Sequence, residues 1–249
     1  MIINSRISMF FRRLLPLCII IASCSTVSHL PEGELLYLGT RKVTVSDSSY
    51  SPLCDKAIGE AKTAFVSPPN NALFGSSRLR LPLPIGLWAY NAFVDDSTRF
   101  GHWMFDLFAS QPILVSTVNP PFRIEAARNT LRNFGYFDNQ ITYHIDTLRN
   151  PKKAFLAYSI QLGNPLYYGD VSYRGFTSPM DSLIHHTWDH RLLRPMGQFS
   201  YASLSGERNR LFTLFRRHGY YYFSPDMIQI LADTTLYPGE ASIRIELHE

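Results

Sequence analysis

The densest polar cluster in the chain is His185-His186-Thr187-Trp188-Asp189-His190. His186 and His190 stand four residues apart, the spacing that sets two imidazoles on one helical face and suits a zinc ion. A metallopeptidase helix places a glutamate between its two histidines as general base, and none stands there. A third ligand would have to come from an unmarked distant position, so the cluster reads as a solvent-facing helix, and no metal or cofactor is expected. Ser203, Ser205 and Glu207 form the next group with nucleophile and base chemistry. Serines and acids just before a helix act as caps and first-turn charges, and that is the role expected of them. Glycine-rich phosphate loops, nucleophile elbows and CxxC pairs are absent, nothing singles out a pair of carboxylates, and no catalytic residue is assigned.

Cysteine chemistry points elsewhere. Arg6, Arg12 and Arg13 precede LLPLCIIIASC, an apolar run too short to cross a bilayer as a mature helix and flanked like a secretory signal peptide. The run ends in Ile21-Ala22-Ser23-Cys24, which resembles the bacterial lipobox, with Ile21 in place of the usual Leu and Ser23 in place of Gly or Ala. The resemblance implies removal of residues 1–23 and acylation of Cys24, which would hold the exported chain at a membrane surface. Cys18 then leaves with the signal, Cys54 alone remains, and no intramolecular disulfide is possible. Cys54 reads as a small semi-buried residue rather than a nucleophile. With 249 residues, 45% of them apolar, the chain can bury a sizeable core. Its net charge of +4 is scattered among aromatics, so no nucleic-acid partner is expected.

The elements that carry these residues come in two copies. Residues 128–147, RNTLRNFGYFDNQITYHIDT, are echoed by residues 209–235, NRLFTLFRRHGYYYFSPDMIQILADTT. Repetition at this scale marks a module used more than once. Arg132, Gly135 and Tyr136 fall on Arg216, Gly219 and Tyr220, and Leu131 falls on Phe215, so each copy runs a helix to a stop at Gly. Beyond it, Ile141, Tyr143 and Ile145 match Ile228, Ile230 and Ala232, and this alternation predicts a half-buried strand. A turn follows, LRNPKK or LYPGE, and residues 155–162 and 241–247 supply a second strand, making each pair a hairpin.

Upstream, Trp103 falls near Trp188, in the apolar-periodic segments FGHWMFDLFA and MDSLIHHTWDHRLL, which predict the first helix of each copy. Pro179 and Asp181 suit the start of the second of these. Alternating strands are predicted before them at 40–46, TRKVTVS, and 169–176, GDVSYRGF. The unit is β-α-α-β-β, twice, in an α+β chain divided into a signal (1–23), a linker (24–36), a first domain (37–165) and a second (166–249). An insertion at about 47–96 enlarges the first domain; it holds a helical stretch, CDKAIGEAKTAFV, and then SPPNNALFGSSRLRLPLPIGLW, which is rich in Pro, Gly and Ser. Two readings stand for this segment: docking on a partner or membrane surface, or packing over its own domain.

The unit order, Gly-Tyr-Tyr-Tyr-Phe at 219–223 after a basic amphipathic helix, and VSYRGF opening the second unit resemble POTRA domains. These are periplasmic modules of outer-membrane assembly and translocation factors of the BamA and TamA type. The lipobox followed by HLPEGELLYLGTRKV, and the run LFGSSRLRLPLPIGLWAYN, resemble the variant of that family found in Bacteroidetes. The resemblance implies, in each module, a three-stranded mixed sheet covered by two helices, with the last strand central and the strand after Gly-Tyr at an edge. It also implies a C-terminal outer-membrane β-barrel of at least about eight strands. Because the sequence stops at ASIRIELHE, the expectation is a fragment, a truncated reading frame or a free-standing POTRA lipoprotein, with its barrel in a full-length protein or in another chain.

An exposed edge presents unpaired N–H and C=O groups to another chain. An extended client, such as an unfolded outer-membrane protein or another periplasmic protein, pairs with such an edge by β-augmentation, with affinity largely independent of its sequence. The edges expected are Gln140, Ile141, Thr142, Tyr143, His144 and Ile145 in the first module, and Met227, Ile228, Gln229, Ile230, Leu231, Ala232 and Asp233 in the second. All of them act through the backbone. The expected protein is non-enzymatic, exported and lipid-anchored at the periplasmic face of the outer membrane. The alternative is a lipoprotein adhesin or glycan-binding protein that stacks sugars on its Tyr and Phe side chains; a hydrolase is less favoured for want of a metal or an activated nucleophile.

Overall fold

A computed structural model describes residues 25–46, 51, 53–72, 76, 79 and 81–248. Residues 1–23, expected as the signal, and Cys24 lie outside the described residues. In chain order the elements are β1 (Leu36–Thr40), β2 (Thr44–Ser46), α1 (Cys54–Thr63), α2 (Ile85–Phe93), α3 (Arg99–Phe108), α4 (Val115–Val118), α5 (Pro120–Arg132), β3 (Gln140–Thr147), β4 (Lys153–Gln161), β5 (Tyr167–Arg174), α6 (Ser178–His186), α7 (Tyr201–Arg217), β6 (Ile228–Asp233) and β7 (Glu240–Leu247). The fold is α+β. Its residues group into two compact units, one formed by the described residues up to Lys42 with Val66–Pro120 and Tyr143–Ala157, the other by Val43–Phe65, Pro121–Thr142 and Tyr158–Glu249.

Two sheets share one plan. In the second, β7 is central, with β5 parallel on one side and β6 antiparallel on the other. In the first, β4 is central: β1 pairs parallel with its first half and β2 with its second, while β3 also pairs with β4. β1 and β2 thus act as one interrupted strand. Each first strand slips register at the same place, between Tyr37 and Thr40 and between Tyr168 and Val171, the mark of a β-bulge. Tyr37 and Tyr168 are both buried there. The first of these strands begins at Leu36 instead of 40, because Leu36 and Tyr37 are core residues.

The repeated Gly-Tyr is a helix stop with a defined geometry. Gly135 and Gly219 have φ of 86° and 95°, the left-handed region that glycine enters without a Cβ penalty. Tyr136 N–H donates to Leu131 O at 3.1 Å and Gly135 N–H to Arg132 O at 3.0 Å; Tyr220 N–H donates to Phe215 O at 3.1 Å and Gly219 N–H to Arg216 O at 3.5 Å. These paired bonds form a Schellman motif, which satisfies the last helical carbonyls. Its customary apolar contact is present in the second copy, where the Phe215 and Tyr220 rings meet at 5.9 Å.

α1, in the stretch expected as an insertion, is packed into the first module, and the segment around Trp103, expected as the first helix, is a separate and largely exposed helix, α3. Ala57 and Ala61 of α1 are fully buried, and Phe65 just after it stacks on Tyr158 of β4 at 4.1 Å. Arg123 of α5 donates to Ala64 O at 2.8 Å, tying the two helices together. Around Trp103, α3 buries only Gly101 and pairs with α2, through Tyr90–Phe105 at 5.7 Å and Phe93–Phe100 at 6.4 Å. The segment expected as a linker is packed as well: Thr26 and Val27 are buried, and Val27 clusters with Leu36 and with Leu87 of α2. In the second module α6 and α7 cover the sheet over a core that includes Tyr168, Ile184, Leu211, Phe215, Ile243 and Ile245. Among the described residues no helix is long and apolar enough to cross a membrane.

Candidate functional site: the open sheet edges

The side chains with catalytic potential are spoken for or dispersed. α6 closes at His186 and His190 lies in the 3-10 turn that follows, so the two histidines do not share a helical face. His185 instead stacks on Trp188 at 5.5 Å. Among the described residues no group of three or more His, Cys, Asp and Glu side chains is placed to hold a metal ion. Cys54 is buried at the start of α1. The cap of α7 is Ser200, whose Oγ accepts from Ser203 N–H at 3.1 Å, so Ser203, Ser205 and Glu207 lie within the helix rather than before it. Glu207 is fully buried and is no first-turn charge. It accepts from Tyr173 Oη at 2.8 Å, from Leu192 N–H at 2.8 Å and from Arg210 Nη2 at 2.6 Å, and Arg210 Nη1 donates on to Thr187 Oγ1 at 3.0 Å. Every partner of this carboxylate is internal, which makes it a structural brace between β5, α7 and the loop before α7.

What remains is backbone. Each sheet has two outer strands, and the two sides differ. Beside β1, Tyr37 N–H donates to Ile113 O and Val115 N–H to Leu35 O, each at 2.9 Å. Asn70 locks this cover, its Nδ2 donating to Tyr37 O at 2.6 Å and to Ile113 O at 2.9 Å while its Oδ1 accepts from Ile113 N–H at 2.8 Å. Beside β5, Tyr168 N–H donates to Gly197 O, Met196 N–H to Tyr168 O and Phe199 N–H to Leu166 O, all at 2.8 Å. The outer edges of the first strands are thus closed over these stretches by segments of the same chain. β3 pairs with β4 and β6 with β7, and no further strand flanks either of them among the described residues. In each sheet the strand after Gly-Tyr is thus an outer strand. The covers at Ile113 and Gly197 are irregular segments that carry no strand pattern, which is why sequence alone did not distinguish closed edges from open ones.

Register shows which groups β6 offers. Met227 O accepts from His248 N–H at 2.7 Å, so that pair is hydrogen-bonded. Alternation along the antiparallel ladder then makes Gln229–Glu246, Leu231–Arg244 and Asp233–Ser242 hydrogen-bonded pairs, and the N–H and C=O of Ile228, Ile230 and Ala232 point away from β7. Met227 belongs to the 3-10 turn before the strand, and Asp233 ends the strand with its carboxylate accepting from Thr235 N–H at 2.8 Å and Oγ1 at 2.7 Å. Those two bonds hold the Asp233 carboxyl below its usual range. On β3, Ile141 is buried while Gln140, Thr142, Tyr143 and His144 are exposed and Ile145 is half-buried.

An apolar pocket of about 470 Å³ lies beside the start of β6, lined by Met180, Tyr220, Tyr221, Tyr222, Met227 and His248 among others. Tyr222 is 96% exposed at its rim. Arg216 fixes the rim by donating to Tyr221 O at 2.9 Å. The sequence marked this Tyr run as a helix stop and as part of the POTRA resemblance, not as a pocket wall.

No protein-family model matches the chain, and no curated protein does. Among solved structures it is similar to POTRA domains 3–5 of BamA from Haemophilus influenzae, with 11% identity and a TM-score of 0.29 over 89% of this chain and 100% of that one. POTRA domains 1–2 of Omp85 from Anabaena give 10% identity and a TM-score of 0.32 over 87% of this chain and 96% of that one. BamA from Haemophilus ducreyi lacking POTRA domains 1–3 gives 14% identity and a TM-score of 0.34 over 65% of this chain, which spans 27% of that structure.

Proposed function

We propose that the chain is a periplasmic POTRA module of an outer-membrane protein assembly or translocation factor, lipid-anchored through Cys24 and non-enzymatic. It holds extended client chains or partner proteins by β-augmentation. The observation that carries this reading is the asymmetry of the edges: the first strand of each sheet is covered by its own chain, while β3 and β6 keep an outer side without a strand partner among the described residues. Natural sheets blunt edges that serve no purpose. A client strand laid along β6 would meet Ile228, Ile230 and Ala232 through the backbone and pass the pocket beside Met227, where an aromatic or aliphatic side chain finds an apolar lining.

A proline in β6 tests this directly. Ala232 is exposed and its N–H points outward, so Ala232→Pro removes a donor from the open edge and leaves the β6–β7 ladder paired. The probe is a synthetic peptide of about ten alternating apolar and polar residues, the pattern of an outer-membrane strand. The expected result is amide shifts at Ile228, Ile230 and Ala232 on titration, with affinity about threefold to tenfold lower in Ala232→Pro, the worth of one hydrogen bond. Binding of equal strength to both proteins, or shifts confined elsewhere, would sink the edge reading. The exposed Tyr rim favours glycan binding as the second reading, and saturable shifts at Tyr220–Tyr222 with a sugar but none with the peptide would select it.

A further inference from the structure

Helix α3 carries its most apolar side chains outward. Phe100, Trp103 and Leu107 fall at i, i+3 and i+7, one stripe of the helix, and are 63%, 56% and 56% exposed. Phe105 packs on Tyr90 of α2 and Gly101 sits under the Asp96 side chain, on another side of the helix; Phe100 borders α2, its ring edge-on to Phe93 at 6.4 Å, and still leaves most of its surface exposed. Arg99, His102 and Asp106 hold the remaining side. Surface helices normally present polar residues to water, so a solvent stripe of Phe, Trp and Leu is a docking surface.

The neighbouring chain indicates what covers it. Val27 is buried with Leu87 of α2; Ser28 Oγ donates to Asn91 Oδ1 at 2.9 Å, His29 N–H donates to the same oxygen at 3.0 Å, and His29 Nε2 lies 3.0 Å from Asp95. Residues 27–29 are therefore clamped along α2, and Cys24, three positions upstream of Val27, is on a tether of at most about 10 Å. Acyl chains on Cys24 leave the polypeptide next to the α2–α3 hairpin, and the bilayer surface has to lie within that reach.

We propose that the exposed stripe of α3 is a lipid-docking surface, seated in the membrane interface with Trp103 at head-group level beside the acylated N-terminus. It rests on the acylation of Cys24 given under the proposed function. Tryptophan and phenylalanine favour the head-group region, and an amphipathic helix supplies the second signal that makes a lipid anchor stable. The attraction is apolar: α2 contains no charged residue, and α3 balances Arg99 against Asp106.

The test uses the full membrane-bound chain in phosphatidylethanolamine–phosphatidylglycerol vesicles with brominated acyl chains. The chain has three tryptophans, and Trp88→Phe with Trp188→Phe leaves Trp103 as the reporter. The expected result is a blue-shifted emission that falls by about half in brominated relative to ordinary vesicles. Phe100→Glu with Leu107→Glu, both at exposed positions, should abolish that quenching while the far-ultraviolet dichroism stays the same. The mass of the N-terminal peptide reports acylation separately. An acylated chain with unquenched Trp103 overturns the docking surface and leaves the anchor standing; an unacylated chain with quenched Trp103 supports the surface and removes the anchor; an unacylated, unquenched chain overturns both. A dimer that Phe100→Glu with Leu107→Glu dissolves, with Trp103 unquenched in vesicles, assigns the stripe to a second copy of the chain and overturns the proposal.

Discussion

Glu207 is the residue on which the second module most depends electrostatically. A fully buried carboxylate costs several kcal/mol to desolvate, and here Arg210, Tyr173 and Leu192 N–H offset that cost. Truncating Glu207→Ala leaves the Arg210 guanidinium half-buried without its carboxylate, and a loss of about 3 kcal/mol in a urea titration is expected. The same brace makes stability depend on pH. Burial, and next to it the Glu207 carboxylate, push the Tyr173 phenol well above its ordinary value of 10.0. A group raised in the folded state contributes stability that is complete below the unfolded pKa and declines as pH rises through and beyond it. The urea midpoint should therefore fall as pH climbs past about 10. In Tyr173→Phe the midpoint is lower at neutral pH, by about 1 kcal/mol for the lost hydrogen bond, but its alkaline fall is shallower. Parallel alkaline curves in the two proteins would show that Tyr173 does not carry the effect.

At the scale of elements, the two Schellman stops offer a matched comparison. An alanine at Gly219 meets nothing within 4 Å and pays only for the left-handed backbone, about 1–2 kcal/mol. An alanine at Gly135 pays the same and also drives its Cβ to 2.8 Å from Phe199 O and 3.2 Å from Leu166 O. Thermal melts should therefore rank Gly135→Ala below Gly219→Ala; equal losses would mean that the close approach at Gly135 relaxes freely. These stops were legible in the sequence because a helix that ends at Gly followed by Tyr uses local chemistry, and local chemistry repeats residue for residue. The first helix of the first copy is legible as a helix, but the sequence places it in the insertion and gives its role to the segment around Trp103. α1 meets the core through Cys54, Ala57 and Ala61, small residues with a weak apolar signal, whereas α3 displays Phe100, Trp103 and Leu107, a strong signal aimed at solvent. Periodicity reports that a helix has an apolar face, not what that face touches. The edges divide the same way: alternation at Ile228, Ile230 and Ala232 marked β6, but the covers over β1 and β5 depend on single backbone bonds from irregular segments and on Asn70, which no pattern announces.

For the whole molecule, the question is whether the second module holds its fold without the rest of the chain. Its core residues, from Leu166 to Leu247, all come from residues 166–249, and so do all three strands of its sheet. Its contacts to the rest of the chain include Leu166 N–H to Gly135 O at 2.9 Å, Tyr201 N–H to Asn133 O at 2.8 Å, Gln198 Nε2 to Phe134 O at 2.8 Å and Ser51 Oγ to Gln198 Oε1, with the Phe137 and Phe199 rings 5.6 Å apart. In an isolated fragment water replaces the lost acceptors, so each bond costs only about 1 kcal/mol, while the apolar core stays intact. Residues 166–249 expressed alone should unfold in one cooperative transition with a heat-capacity change of about 1 kcal/mol/K, the value for a domain of that size. Its midpoint should lie below that of the full chain by the worth of the lost contacts, and its near-ultraviolet dichroism should match the signal of its buried Tyr and Phe cluster. A broad, non-cooperative melt with exposed apolar surface would mean that the Asn133–Phe137 helix stop completes the module's fold, and that the repeat in the sequence is a repeat of topology without independence.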